Sequence, residues 1–294
     1  MLNEINHKFL LGGATLGNQY GVSNTVKMTD GESLLLIEEA FQQGFLGIDT
    51  APVYGKSESV CGSSNLRNKE VFTKVLGSAV RQGLEEGFEE VKRSIKRLQV
   101  DKLTGITFHS SDDFMFNTQT SIDLVQKLLD YDLVESWGVS MYSPKEISKI
   151  LDHAKPDYLQ APVNIADRRF IDSSVTATLR QQDIALHARS VYLQGILLQE
   201  PATIHEYFSP WKPLLSEYQS ISNANGLSLL GMTVASVLEL GEVTRVVVGA
   251  NNISQLQQMA EQLKFVPQKN LLSMFKPCSD EALIDPRLWN TDSF

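Results

Sequence analysis

Apolar positions along this chain switch repeatedly between two spacings. Phe9 to Thr15 is a short apolar run closing on glycines, and from Asp30 to Gln43 the positions Leu34, Leu35, Ile37 and Phe41 recur at helical intervals. The same pair of patterns then repeats. It predicts strands over 45–49, 70–75, 103–109, 134–141, 157–163, 184–190 and 243–249. It predicts helices over 57–65, 83–98, 120–131, 144–153, 173–182, 205–222 and 254–265, with an additional helix over 228–240 before the last strand. Counting the first run, there are eight strands, each followed by a helix, and no Gly/Pro/Ser-rich linker or low-complexity tract divides them. Eight βα units in a chain of this length predict one α/β domain over residues 1–294, a closed (β/α)8 TIM barrel. A doubly wound open sheet is the competing arrangement, and the absence of a G-x-G-x-x-G after the first strand counts against it.

Composition narrows the classes of function. Of the 294 residues 42% are hydrophobic, enough for a sizeable core. The formal net charge is −9, and Lys92, Arg93, Lys96 and Arg97 share a helix with Glu89 and Glu90. That cluster reads as a solvated helix face, so no nucleic-acid partner is expected. Cys61 and Cys278 stand far apart with no metal-binding spacing, which predicts neither a disulfide framework nor a bound metal and fits a reducing cytoplasm. No segment approaches the roughly 20 apolar residues of a membrane span, so no membrane partner is expected.

Polar residues are concentrated where strands end. Asp49 closes the run from Phe45, Lys74 closes Val71-Phe72-Thr73-Lys74, and His109 closes the run from Leu103. In a barrel of this type such positions are the C-terminal tips, where inward side chains meet the loops and reactive groups gather. Tyr54 lies on the loop after Asp49 and can fold back over the tips. A phenol is a poor acid at neutral pH; an adjacent ammonium is expected to lower its pKa, and a carboxylate behind that ammonium keeps the lysine charged and in place. A histidine on the next strand can hold a carbonyl oxygen near the phenol. Singly, each residue also fits a structural role as a helix cap, half an ion pair or a rim histidine. Four such residues in order on successive strand ends point to catalysis.

On these residues the chain resembles the aldo-keto reductases. Gly47-Ile48-Asp49-Thr50-Ala51 with Tyr54-Gly55 and Ser57-Glu58 is similar to the family's first signature, Thr73-Lys74 to its lysine strand, and Phe108-His109 to its histidine strand. The likeness continues in Trp137-Gly138-Val139-Ser140, in Gln160, in Ser190 to Leu197 and in Gly249-Ala250 with Gln255-Leu256. The resemblance implies a nicotinamide cofactor, NADP(H) by family habit with NAD(H) as the alternative, lying extended across the barrel mouth without a Rossmann domain. It implies that an aldehyde or ketone is reduced by hydride transfer while Tyr54 protonates the oxygen, with Lys74 and Asp49 tuning Tyr54 and His109 orienting the carbonyl. By the same carry-over Ser140 and Gln160 hydrogen-bond the nicotinamide amide. Ser190, Leu193 and Gly195 then lie along the pyrophosphate, and Gly249, Asn251, Asn252, Gln255 and Gln258 surround the adenosine half. Substrate contacts are expected from loops around Ser110–Asn117 and Gln199–Pro213 and from a C-terminal tail, about 267–294, near the mouth.

Three departures from the family pattern bear on binding. Met141 stands where many members have an asparagine that contacts the amide. Arg189 stands where many have an aromatic residue under the nicotinamide. A guanidinium there can stack on a ring, fork a carboxylate or phosphate, or simply pair with a neighbouring carboxylate. The loop Gly249 to Gln255 lacks the Lys and Arg that commonly grip the adenosine 2′-phosphate, leaving Arg245 or Lys264 as candidates for that contact. Asp167-Arg168-Arg169 offers either cations for an anionic substrate or an internal loop cluster. Phe114, Phe116, Tyr192 and Trp289 are candidate pocket walls or packing residues. Two other functions fit the same residues. One is a nicotinamide-binding, redox-reporting subunit of this fold, comparable to potassium-channel β subunits. The other is a lyase or isomerase with a Schiff base on Lys74, which a neighbouring Asp49 disfavours by keeping the amine charged.

Overall fold

Each short apolar run becomes a strand covered on its outer side by the helix that follows. A computed structural model describes residues 8–17, 28–265 and 270–289. Its strands are β1 (Phe9–Gly12), β2 (Gly47–Asp49), β3 (Glu70–Val75), β4 (Gly105–Phe108), β5 (Trp137–Ser140), β6 (Tyr158–Pro162), β7 (Ala185–Arg189) and β8 (Val243–Val248). All pair in parallel in chain order, and β8 returns to β1 to close the barrel. The main helices are α1 (Asp30–Gln42), α2 (Ser57–Gly62), α3 (Leu84–Leu98), α4 (Thr118–Asp130), α5 (Lys145–Leu151), α6 (Ser173–Gln181), α7 (Lys212–Ala224), α8 (Leu229–Leu238) and α9 (Ile253–Leu263). The predicted (β/α)8 barrel is therefore the fold. Among the described residues no single helix is long and apolar enough to cross a membrane.

Differences from the predicted elements have local causes. Several strands are shorter than their apolar runs because the ladder ends first; Leu103 and Val134 pair only as an isolated bridge ahead of β4 and β5. The helix expected over 205–222 is split into a 3-10 turn, Glu206–Trp211, and α7. Pro210 lies inside the turn, where its missing N–H removes one bond, and Pro213 lies at the start of α7, where a missing N–H costs no helical hydrogen bond. The acidic and basic residues of α3 pair with one another on its outer face, Lys92 with Glu89 and Arg93 with Glu86 and Glu90, as a solvated face should.

Strand side chains alternate, so every second residue points into the barrel. The interior is filled in layers. At the floor Arg245 of β8 reaches across to Glu70 of β3, with two hydrogen bonds of 2.6 Å. Above it Leu10, Phe72 and Tyr158 form a small apolar cluster, and His187 stacks on Tyr158 with ring centroids 4.3 Å apart. Gly138 makes room for this layer: a Cβ there would sit 2.4 Å from the Tyr158 ring. The remaining core lies outside the barrel, between strands and helices.

Candidate active site

Three neighbouring strand ends supply the polar cluster at the mouth. Asp49 ends β2, Lys74 is the penultimate residue of β3, and His109 directly follows β4. Lys74 Nζ donates to Asp49 Oδ1 at 2.5 Å and to the Thr50 carbonyl at 2.9 Å. Both side chains are almost fully buried, 2% and 5% exposed, so neither ion has water as a substitute partner. Gln160 of β6 donates from Nε2 to Asp49 Oδ2 at 2.7 Å, which occupies the second carboxylate oxygen. Its Oε1 is buried and has no partner among the described residues.

Tyr54 is set over this pair by a tightly tied loop. Its N–H donates to Ala51 O and its carbonyl accepts from Ser57 N, both at 3.0 Å. Gly17 packs against that carbonyl so closely that a Cβ would lie 1.7 Å from the oxygen. Thr50 and Ser57 join their hydroxyls at 2.8 Å. Buried Glu58 accepts from Thr73 Oγ1 and from Arg97 Nε, each at 2.6 Å, and so pins α2 to β3 and α3. The signature residues Ser57 and Glu58 thus act as braces for the tyrosine loop.

The phenol ring of Tyr54 has Lys74 Nζ 5.5 Å from its centroid and the His109 ring edge-on at 6.2 Å. Its electrostatics reverse the sequence expectation that Lys74 lowers the phenol pKa. Burial pushes the Tyr54 hydroxyl well above its usual value, the Asp49 carboxylate adds to this, and Arg189 opposes it. Burial outweighs the neighbouring ammonium, whose charge Asp49 balances in the resting site, and no described residue hydrogen-bonds the Tyr54 hydroxyl. His109 goes the other way: burial, then the Lys74 and Arg189 cations, lower it to about 4, so it is neutral at physiological pH.

Arg189, at the end of β7, is held by Ser140 Oγ (3.2 Å, from Nε), Ser190 Oγ (3.2 Å) and the Met141 carbonyl (3.1 Å). Its guanidinium lies 4.1 Å from the centre of the Tyr142 ring. The carboxylate pairing weighed for it is not formed among the described residues. Arg168 and Arg169 form the internal loop cluster and do not line the groove that starts at Asp49 and Tyr54. Arg168 donates to the carbonyls of Ile165, Leu272 and Phe275, and Arg169 forks Asp167. Arg245 is committed to Glu70 at the floor and Lys264 to Glu261, so neither stands at the mouth ready for a phosphate.

A groove of about 180 Å³ leads from Asp49 and Tyr54 past β7 to the loop after β8. Gln160, Arg189, Ser190, Gly195, Gly249, Asn251 and Gln255 of the expected nucleotide residues line it. Leu193 is wholly buried, and Ser140 is engaged by Arg189. Asn252 caps α9 through Gln255 N, and Gln258 is exposed on α9. Gly12, Gly13, Thr15 and Gln194 also line the groove, and the glycines at and just after the end of β1 are the signal the sequence carries for them. Of the candidate walls, Tyr192 lines the groove and its buried hydroxyl lacks a partner among the described residues. Phe114 is core, stacked on Trp137, and Trp289 packs against Phe208. Phe116 is exposed beneath Arg81. Part of the expected tail, 267–269 and 290–294, lies outside the described residues.

Comparison with known proteins gives a consistent answer. The family model described as "Aldo/keto reductase family" matches residues 8–278. The aldo-keto reductase YhdN of Bacillus subtilis (strain 168) is 23% identical over 266 residues, covering 78% of each chain. L-galactose dehydrogenase of Arabidopsis thaliana is 21% identical over 272 residues, covering 84% of this chain and 81% of its own. Among solved structures, an aldo-keto reductase from Bacillus halodurans in its holo form superposes with a TM-score of 0.73 at 17% identity, over 95% of both chains. A glycerol dehydrogenase from Gluconobacter oxydans gives 0.68 at 21% identity, over 89% of this chain and 87% of its own.

Proposed function

The chain belongs to the aldo/keto reductase family, and from that premise we propose that it is an NAD(P)H-dependent oxidoreductase that reduces an aldehyde or ketone to an alcohol. The observation that carries this reading is the buried Asp49–Lys74 pair beneath a phenol whose hydroxyl has no described partner.

The chain's residues fit a nicotinamide nucleotide. Gln160 Oε1 is a buried acceptor that lacks a donor, and a primary amide supplies one. Ser190, Gly195, Gly249, Asn251 and Gln255 line the remainder of the groove and are assigned to the rest of the nucleotide. A bound reduced nicotinamide supplies the hydride. NADP(H) is assigned by family habit, with NAD(H) as the alternative.

The protein's part is positioning and proton supply. Neutral His109 donates an N–H to the carbonyl oxygen and holds it toward Tyr54. Tyr54 keeps its proton until negative charge develops on that oxygen, because burial disfavours a free phenolate. Once the proton moves, the phenolate lies near the Lys74 cation, which stabilises it. Asp49 fixes Lys74 so that this stabilisation needs no rearrangement.

Tyr54→Phe tests the assignment. Single-turnover oxidation of bound NADPH by 4-nitrobenzaldehyde should slow by roughly 10²–10⁴, with nucleotide affinity nearly unchanged. Full activity in that variant defeats the mechanism. Negligible turnover of the unmutated protein across a broad carbonyl panel moves the assignment to a redox-reporting subunit.

A further inference from the structure

Arg189 is a charged residue at the mouth whose chemistry the preceding reading leaves unused. A guanidinium carries five N–H donors. Three hydrogen bonds, to Ser140, Ser190 and Met141, account for three of them. Two remain, and no carboxylate among the described residues pairs with the charge. Arg287, whose guanidinium also lies over the Tyr142 ring, is the contrast: it is neutralised by Asp285 at 2.6 Å. Arg189 is thus a fixed, half-buried, uncompensated cation.

Its course across the barrel defines what it faces. The side chain starts on β7 and its Nε ends against Ser140 of β5, so it crosses the end of β6, which lies between them. Gln160 projects inward from β6 and is the Cα partner of Ser140. Arg189 and Gln160 also line the same groove beside Tyr54. A guanidinium with spare donors and a buried acceptor with no described donor therefore face one groove without bonding each other. A primary carboxamide presents the complement of that set, an oxygen that accepts and an NH₂ that donates.

We propose that Arg189 and Gln160 form a two-residue clamp for the nicotinamide carboxamide, in which Arg189 donates to the amide oxygen and Gln160 Oε1 accepts from its NH₂. Arg189 takes the place of the amide donor that Met141 does not provide, and it does so with a charge. That charge disfavours the cationic oxidised ring relative to the neutral reduced one. The site is accordingly built to hold the reduced nucleotide and release the oxidised one.

This inference rests on the nicotinamide reading above, and titration separates the two. Dissociation constants of NADPH and NADP⁺, and of NADH and NAD⁺, are measured by fluorescence for the unmutated protein and for Arg189→Met, Arg189→Gln and Arg189→Lys. The unmutated protein should favour each reduced form by about tenfold or more. Arg189→Met and Arg189→Gln should each lower that ratio about tenfold, while Arg189→Lys keeps most of it and weakens both forms. The 3-acetylpyridine analogue, which keeps the carbonyl and lacks the NH₂, should bind the unmutated protein several-fold more weakly than the carboxamide, because Gln160 Oε1 stays unpaired. If Arg189→Met fails to fold, Arg189→Gln tests the charge alone. Unchanged reduced-to-oxidised ratios in a folded neutral variant overturn the clamp and leave the nicotinamide assignment standing. Failure of the unmutated protein to bind any of the four nucleotides overturns both.

Discussion

At the mouth of the barrel Lys74 meets Asp49 on the adjacent strand, and at the floor Arg245 of β8 reaches Glu70 of β3; both ion pairs lie inside the same cylinder. The floor pair is closed. Arg245 forks both Glu70 oxygens and gives a further N–H to the Thr244 carbonyl. The mouth pair sits among open valences: a phenol with no described hydrogen-bond partner, an orphan Gln160 oxygen and an uncompensated Arg189. An ion pair inside a barrel is therefore no mark of chemistry by itself. A single orphan is no mark either, since buried His187 Nδ1 beside the floor pair also lacks a described partner; the mark is several unsatisfied polar groups converging on one groove.

The sharpest way to break this comparison is to cut each pair on one side. Lys74→Met should lower carbonyl reduction by roughly 10²–10⁴, and Lys74→Met with Tyr54→Phe should be no worse than the poorer single variant, since both act on one proton transfer. Equal rates for Lys74→Met and the unmutated protein would place the chemistry elsewhere. Cofactor choice comes next. With no described cation at the adenosine end of the groove, NADPH should be preferred over NADH by no more than about two orders of magnitude, and Arg245→Met should leave that ratio where it is. A thousandfold preference, or one that collapses in Arg245→Met, would join the two ends of the barrel after all. The same Arg245→Met variant should lose about 1–3 kcal/mol of stability in urea unfolding while kcat changes by less than about twofold.

The smallest effect concerns the layer between the two pairs. His187 has its folded pKa lowered from 6.5 to about 3, by burial first and then by Arg245. The unfolded chain therefore takes up this proton first, so stability falls as pH drops from 6.5 toward 3, by at most about 1.4 kcal/mol per pH unit for this one group. His187→Phe should flatten that slope in urea midpoints measured at pH 7, 6 and 5. His109, lowered to about 4, adds a slope of the same sign that the variant retains. An undiminished slope in His187→Phe would mean that other groups govern the acid limb.

Much of this arrangement was legible in the sequence. Eight βα repeats are long enough for periodicity to register, so the barrel and the order of Asp49, Lys74 and His109 on successive strand ends could be read directly. Short helices such as Ala14–Gly17, Gly77–Arg81 and Ser111–Met115 complete barely one turn and leave no period to detect. The loop after β7 was also opaque: Ser190, Leu193 and Gln194 adopt positive φ, which only glycine advertises in a sequence. The direction of the Tyr54 shift is not legible, because residue types reveal that a lysine is near but not how deeply the phenol is buried or that Asp49 balances the lysine's charge. Arg189 was visible as an anomaly; its reach across β6 to Ser140 needed coordinates.

The anchoring of the C-terminal segment has a consequence for how this protein can diversify. Arg168 holds the carbonyls of Leu272 and Phe275, the Tyr218 hydroxyl holds the Lys276 carbonyl, and the Cys278 N–H donates to Ala166. On the segment's side, every one of these contacts is made by the main chain. Leu271, Leu272 and Phe275 are committed to the core, but the exposed Met274, Lys276 and Pro277 beside them can be exchanged without loosening the attachment. Docking and sequence variation are uncoupled at those positions, so the segment's surface can drift while its path across the barrel stays fixed.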